Sequence, residues 1–188
     1  MPDELASLTV AFLVAPEGVE QVELTEPWKT VEATGGTPTL ISTSDEPIRA
    51  FNHLDPADTF PVDLTVDRAD VDDFDALILP GGVANPDFLR TSDAAVGFVR
   101  AFFTAGKPVA AICHAPWVLV EAGEVRDRTL TSFPSLRTDI TNAGGTWVDE
   151  EVVVDRGANV LITSRNPDDL PAFDAAIVVE LGRRNRDG

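Results

Sequence analysis

The stretch KPVAAICHAP, residues 107 to 116, holds the chain's one cysteine, Cys113, followed directly by His114, one of its two histidines. A thiolate is a nucleophile and a neighbouring imidazole carries protons, so the pair has the parts of a covalent catalyst. A free cysteine is also a common inert core residue, so placement has to decide. The apolar run VAAI before Cys113 reads as a buried strand and the segment after it as a helix. Cys113 then sits outside the carboxyl end of a strand, where open α/β sheets collect reactive groups. A nucleophile on such a sharp turn needs small flanking residues, and Ala111 and Ala115 stand there. The positive end of the helix dipole would favour the thiolate. The backbone N–H of His114 would donate to an oxyanion, with a second donor from Gly82 in the PGG turn of a neighbouring strand. The His114 side chain, next to the nucleophile, is expected to point elsewhere on the turn, toward a partner carboxylate. His53, in a stretch rich in Asp and Pro, reads as a surface histidine.

The elements that would position these groups alternate between apolar β-branched runs and helical patterns, the signature of a mostly parallel sheet covered by helices. LTVAFLV (8–14) reads as a first buried strand. The segment 20–36 reads as a helix with Val22, Leu24, Trp28 and Val31 inward, in which Pro27 either kinks the helix or marks its start. TPTLIS (37–42) is a second strand. Residues 44 to 74 hold short strand-like pieces, IRAF and DLTV, and suggest hairpins rather than a helix. DALILPGG (75–82) is a strand running into a Gly-Gly turn. A helix with Ser92 as N-cap and Gly106 as its stop comes next. The Cys113 strand and a helix ending at Gly123 follow. Short strands RTLTS and TWVDEEVVVD flank a helical PSLRTDITNAG. NVLITS is the last strand, and a C-terminal helix has Asp168 and Asp169 at its positive end. We expect one α/β domain over residues 1–188.

Composition narrows the function. One cysteine forms no internal disulfide, which fits a reducing cytoplasm, and excludes a zinc site of several cysteines. No apolar run approaches the ~20 residues that span a bilayer, and the acidic N-terminus does not read as a signal peptide. The chain carries 32 acidic against 14 basic residues, a net charge of −18, and its only lysines are Lys29 and Lys107. Such a surface repels nucleic acid and anionic membrane. It fits a protein adapted to molar salt, where a Debye length of ~3 Å screens self-repulsion.

DALILPGG, KPVAAICHAPWVLVEAG, LTSFPSLRTDITNAGGTWVDEEVVVD and NVLITSRNPDDLPAFDAAIV together resemble the ThiJ/PfpI superfamily. The closest match is its PfpI-like branch of intracellular proteases, general stress proteins and deglycases. The resemblance runs from Leu8 to about Leu181. It implies a flavodoxin-like three-layer sandwich, akin to class I glutamine amidotransferases, with Cys113 on the elbow. The family has a glutamate after the first strand, and GVEQVEL places Glu20 there, facing the sulfur. An ionised carboxylate there would raise the thiol pKa, so Glu20 is expected protonated and donating to the thiolate. In this branch a carboxylate from a neighbouring subunit orients the histidine, and Asp87 in PGGVANPDFLR falls at that position. That arrangement requires a homodimer or higher oligomer.

The reading is a cofactor-independent and metal-independent cysteine hydrolase acting on reactive carbonyls such as methylglyoxal, or on glycated proteins and peptides. Two alternatives are an intracellular cysteine peptidase and a non-enzymatic redox sensor or chaperone using Cys113. A glutamine amidotransferase needs a later histidine, and none follows His114. An FMN protein needs a phosphate cradle that APEGVEQVEL lacks.

Overall fold

In the computed structural model, which describes residues 3–187, the run TVAFLV forms β1 (Thr9–Val14). Its side chains alternate between two cores. Val10, Phe12 and Val14 belong to one, Ala11 and Leu13 to the other, as the two-residue period of a strand dictates. A strand apolar on both faces has to lie inside a sheet covered on both sides.

The chain continues through β2 (Glu17–Glu20), α1 (Gln21–Ala33), β3 (Thr37–Ser42), β4 (Ile48–Asn52), β5 (Asp55–Phe60), β6 (Leu64–Thr65) and β7 (Ala76–Leu79). Next come α2 (Ala84–Leu89), α3 (Asp93–Thr104), β8 (Val109–Ile112), α4 (Pro116–Ala122), β9 (Thr129–Leu130) and α5 (Arg137–Asn142). The described chain ends with β10 (Thr146–Trp147), β11 (Val152–Arg156), β12 (Val160–Ser164) and α6 (Leu170–Asp187).

Seven strands form the central sheet in the order β11-β12-β8-β7-β1-β3-β6, parallel except for the antiparallel edge strand β11. On one face Leu24 and Val31 of α1 and Phe173 and Ile177 of α6 pack on Phe12, Ile78 and Ile112. On the other, Val99 and Phe102 of α3, Leu119 of α4 and Ile140 of α5 pack on Leu13, Leu77 and Val109. Phe12, Phe102 and Phe173 are fully buried, each worth about 1.5–3 kcal/mol of transfer free energy. This is the expected three-layer α/β sandwich.

The 44–74 stretch does form the expected hairpin, β4 against β5, joined by the two-residue turn His53–Leu54. The hairpin adds to β2 as a separate three-stranded sheet, which the sequence did not suggest. Ser92 caps α3 by accepting from the Ala95 N–H, and Gly106 and Gly123 take positive φ where α3 and α4 end. Pro27 neither starts nor ends α1. It lies inside the helix on the buried side, and its missing N–H leaves the Glu23 carbonyl without the usual i+4 donor.

Candidate active site

Cys113 follows β8 directly, in a left-handed conformation with φ 64°. A non-glycine residue there costs about 1–2 kcal/mol, and two backbone bonds hold it. The Cys113 N–H donates to the Ser164 carbonyl at the end of β12 (3.0 Å), and its carbonyl accepts from the Phe133 N–H (2.8 Å). The elbow is thus tied to both flanking segments. The thiol is buried at the base of a cavity of about 200 Å³ lined by Glu20, Glu23, His53, Leu54, Gly82, Val83, His114, Phe133 and Pro167.

The carboxyl at the sulfur is Glu23, where the sequence led us to expect Glu20. Glu20 is the last residue of β2, while Glu23 sits in the first turn of α1, on the side that the helix presses into the protein. The Glu23 carboxyl lies beside the Cys113 side chain, with only Gly81, which has no side chain, between them. Its Oε2 accepts from the Gly81 N–H (2.9 Å), and Oε1 is buried with no hydrogen-bond partner among the described residues. An unsolvated carboxylate is expensive, so burial pushes the Glu23 pKa from 4.5 up to about 8, and the charge of nearby Glu20 adds to the rise. A buried oxygen facing no donor is where a proton costs least.

Glu20 itself lines the same cavity beside the hairpin turn. Its Oε2 accepts from the His53 N–H (3.0 Å), and the His53 ring stands 3.7 Å from the same oxygen. The His53 side chain is exposed, as expected, but its φ of 58° turns its backbone N–H toward Glu20.

Burial pushes the Cys113 thiol up, and a negative Glu23 would push it further, while the N–H groups of Gly82 and His114 act against both. This corrects the expectation that the positive end of the helix dipole favours the thiolate, because α4 begins only at Pro116. Sulfur and carboxyl form a coupled pair that titrates as a unit. Gly82 (φ 84°) reaches the sulfur because it has no side chain. A Cβ on it would overlap the Gly18 carbonyl, and one on Gly81 would overlap Glu23 Oε2 and Cys113 Cβ.

His114 does not point away. Its Nδ1 lies 3.1 Å from Cys113 Sγ, and its ring stacks on Phe133 at 4.5 Å. Burial lowers its pKa, keeping it neutral at physiological pH. Nε2 faces Ser135 Oγ at 3.4 Å. Asp87 is exposed on α2 and binds Arg90 of its own helix, with Oδ1 at 2.6 and 3.0 Å. The Arg90 guanidinium lies over Trp117, whose ring tilts against His114.

Sequence reasoning missed Asn85. This fully buried side chain accepts from the Ala15 N–H (2.7 Å) and donates to the carbonyls of Pro80 and Gly81 (3.0 Å each). It bolts the loops after β1 and β7 together and so fixes the Gly81–Gly82 turn. Only its polarity inside a buried stretch could have marked it.

The DJ-1/PfpI family model matches residues 8–180. The protein named Deglycase PH1704 from Pyrococcus horikoshii is 41% identical over 166 residues, 88% of this chain and 95% of that protein. Protein/nucleic acid deglycase 2 of Escherichia coli is 46% identical over 121 residues, 64% of this chain and 69% of that one. Among solved structures, Drosophila melanogaster DJ-1beta superposes with a TM-score of 0.83 at 28% identity, covering 94% of this chain and 91% of that chain.

Proposed function

Because the chain belongs to the DJ-1/PfpI family, we propose that it is a deglycase that uses Cys113 to remove reactive carbonyls such as methylglyoxal from glycated proteins and small thiols. What supports the mechanism is the Glu23 carboxyl, its pKa pushed up to about 8 by burial, beside the sulfur, with the backbone N–H groups of Gly82 and His114 near the same atom.

The adduct carries a carbinol carbon on the nitrogen or sulfur of its carrier, next to a ketone. The carbinol hydroxyl gives up its proton, and the carrier amine or thiol leaves with a proton from Glu23. Cys113 sulfur adds to the aldehyde carbon so formed, where charge developing on the oxygen meets the Gly82 and His114 N–H groups. Glu23 retrieves a proton and the thiol proton ends on that oxygen, giving a hemithioacetal on Cys113 beside the ketone. A proton moves between the two substrate carbons, so the aldehyde-level carbon is oxidised by two electrons and its ketone neighbour reduced by two. Water then cleaves the resulting thioester. Overall, adduct and water give free carrier and a hydroxy acid, lactate from methylglyoxal, and no external oxidant is consumed. His114, neutral and 3.1 Å from the sulfur, is placed to relay protons.

The name of the E. coli relative covers nucleic acid as well as protein. Here the net charge of −18 disfavours a polyanionic carrier and favours peptide or small-molecule ones. A second copy bringing Asp87 to the neighbour's His114 is part of the same proposal, because Asp87 does not bind the histidine of its own chain.

The deciding experiment incubates the protein with methylglyoxal-modified N-acetylcysteine and N-acetylarginine in molar KCl, and follows lactate by NMR. Lactate from wild type, absent with Cys113→Ala and Glu23→Gln, is the expected result. Lactate formed at an unchanged rate by Cys113→Ala would overturn the proposal.

A further inference from the structure

We infer that Glu20 sets the charge preference of the Cys113 cavity and selects adducts borne on cationic groups, guanidinium above all, over neutral or anionic ones. The inference rests on the reading of Cys113 as the group that attacks the substrate.

Two carboxyl groups line the cavity, and they are differently placed. Glu23 is wholly enclosed beside the sulfur, and its Oε2 is held by the Gly81 N–H. Glu20 is 8% exposed, and Oε2 is its occupied oxygen, held by the His53 N–H. Among the described residues its Oε1 accepts no hydrogen bond. That oxygen is free to accept from a ligand. The remaining wall is largely apolar, with Leu54, Val83, Phe133 and Pro167, and it contains no lysine or arginine among the described residues. The neutral His114 adds no positive charge. A single carboxylate in a small cavity with apolar walls acts through a lower effective dielectric than bulk water, so its charge is felt strongly at the sulfur.

The chemistry of the substrates separates along this line. A methylglyoxal adduct on arginine keeps a guanidinium beside the carbinol carbon, whereas a hemithioacetal on cysteine is neutral there. A guanidinium brought to Cys113 passes Glu20 and offers N–H donors to its unoccupied oxygen, a charge-assisted bond. The hairpin bond from His53 fixes where that oxygen stands, which makes the discrimination geometric as well as electrostatic.

The test does not depend on turnover. Cys113 is labelled with three methanethiosulfonates bearing a trimethylammonium, a methyl or a sulfonate group. In each case the Cys113 thiolate forms a disulfide with the reagent's thio group, and methanesulfinate leaves. Work in molar KCl screens the acidic surface, while a charge inside the cavity is screened far less. Wild type should label faster with the cation than with the anion. Glu20→Gln keeps an oxygen for the His53 N–H, and should lower the cation-to-anion rate ratio by about tenfold or more. The exposed Glu17→Gln should leave the ratio unchanged. An unchanged ratio in Glu20→Gln, or an equal fall in Glu17→Gln, would overturn the inference. In parallel, Glu20→Gln should cut kcat/KM for arginine-borne adducts by about tenfold and spare cysteine-borne ones. An equal loss on both would mean that Glu20 acts only through the proton on Glu23, and would also overturn it. If labelling shifts as expected and no adduct is turned over, the charge selection stands and the deglycase reading falls.

Discussion

Glu23, in the first turn of α1, and Cys113, directly after β8, face each other across a turn of two glycines that leaves no side chain between them. The pair holds one proton more readily than none, because a charge on either member is poorly solvated and repels a charge on the other. Replacing Glu23 with Gln keeps the acceptor for the Gly81 N–H and removes the acidic proton. Turnover should fall by about 10²–10⁴-fold with the fold intact, read as lactate release beside circular dichroism. Glu20→Gln should cost far less on a cysteine-borne adduct.

Activity should depend on pH through the same carboxyl. Glu23 must be protonated to donate, so kcat/KM should fall as pH rises through about 8. A profile that stays flat from pH 7 to 9.5 would remove Glu23 from the role of acid.

Stability should follow with the same sign. The folded state raises the Glu23 pKa from 4.5 to about 8, so the favourable contribution is whole below pH 4.5 and is lost as pH climbs through 8. Asp174, raised from 3.8 to about 6 by burial against the opposing hydrogen bond from Thr30, acts in the same direction at lower pH. Tm should therefore decline from pH 5 to 9, and Glu23→Gln should flatten the upper part of the decline. Calorimetry across that range checks it.

Gly82→Ala should destabilise by about 2–4 kcal/mol, from a side chain at φ 84° and from contact with the Gly18 carbonyl. It should also slow turnover, because relief requires the turn to move off the sulfur. A variant with unchanged Tm would mean that the loops are looser than their packing indicates.

A net charge of −18 should make Tm rise by roughly 5–10 °C between 0.1 and 2 M KCl, as screening relieves self-repulsion. A fall in Tm over that range would mean that the protein is not adapted to high salt.

The sheet, the elbow and the hairpin were legible because each rests on a local pattern. VAAIC between a lysine-proline start and a proline-capped helix has few other readings, and neither does DALILPGG. The identity of the acid at the sulfur was not legible in the same way. Glu20 and Glu23 are three residues apart in GVEQVEL, and choosing between them depends on where strand gives way to helix. Leu24 and Val31 are buried and Val22 and Trp28 pack against the same core as the sequence suggested, but the buried face of α1 also takes in Glu23 and Pro27. A carboxylate four residues before a buried proline was the available signal. The orientation of His114 was not legible either, since it depends on Phe133, brought across from a segment twenty residues away to stack on its ring.

The His53–Leu54 turn joins two strands of the small accessory sheet, yet it forms part of the wall around a sulfur set by the large one. In the proposed function, reaction chemistry and substrate choice thus rest on two different sheets that share one core through Val19, Ile48 and Ala50. Leu54, 91% exposed at the hairpin tip, can be exchanged for almost any residue without disturbing the core. A library confined to that two-residue turn would change which adducts enter while the sulfur, its acid and its amide donors stay in place.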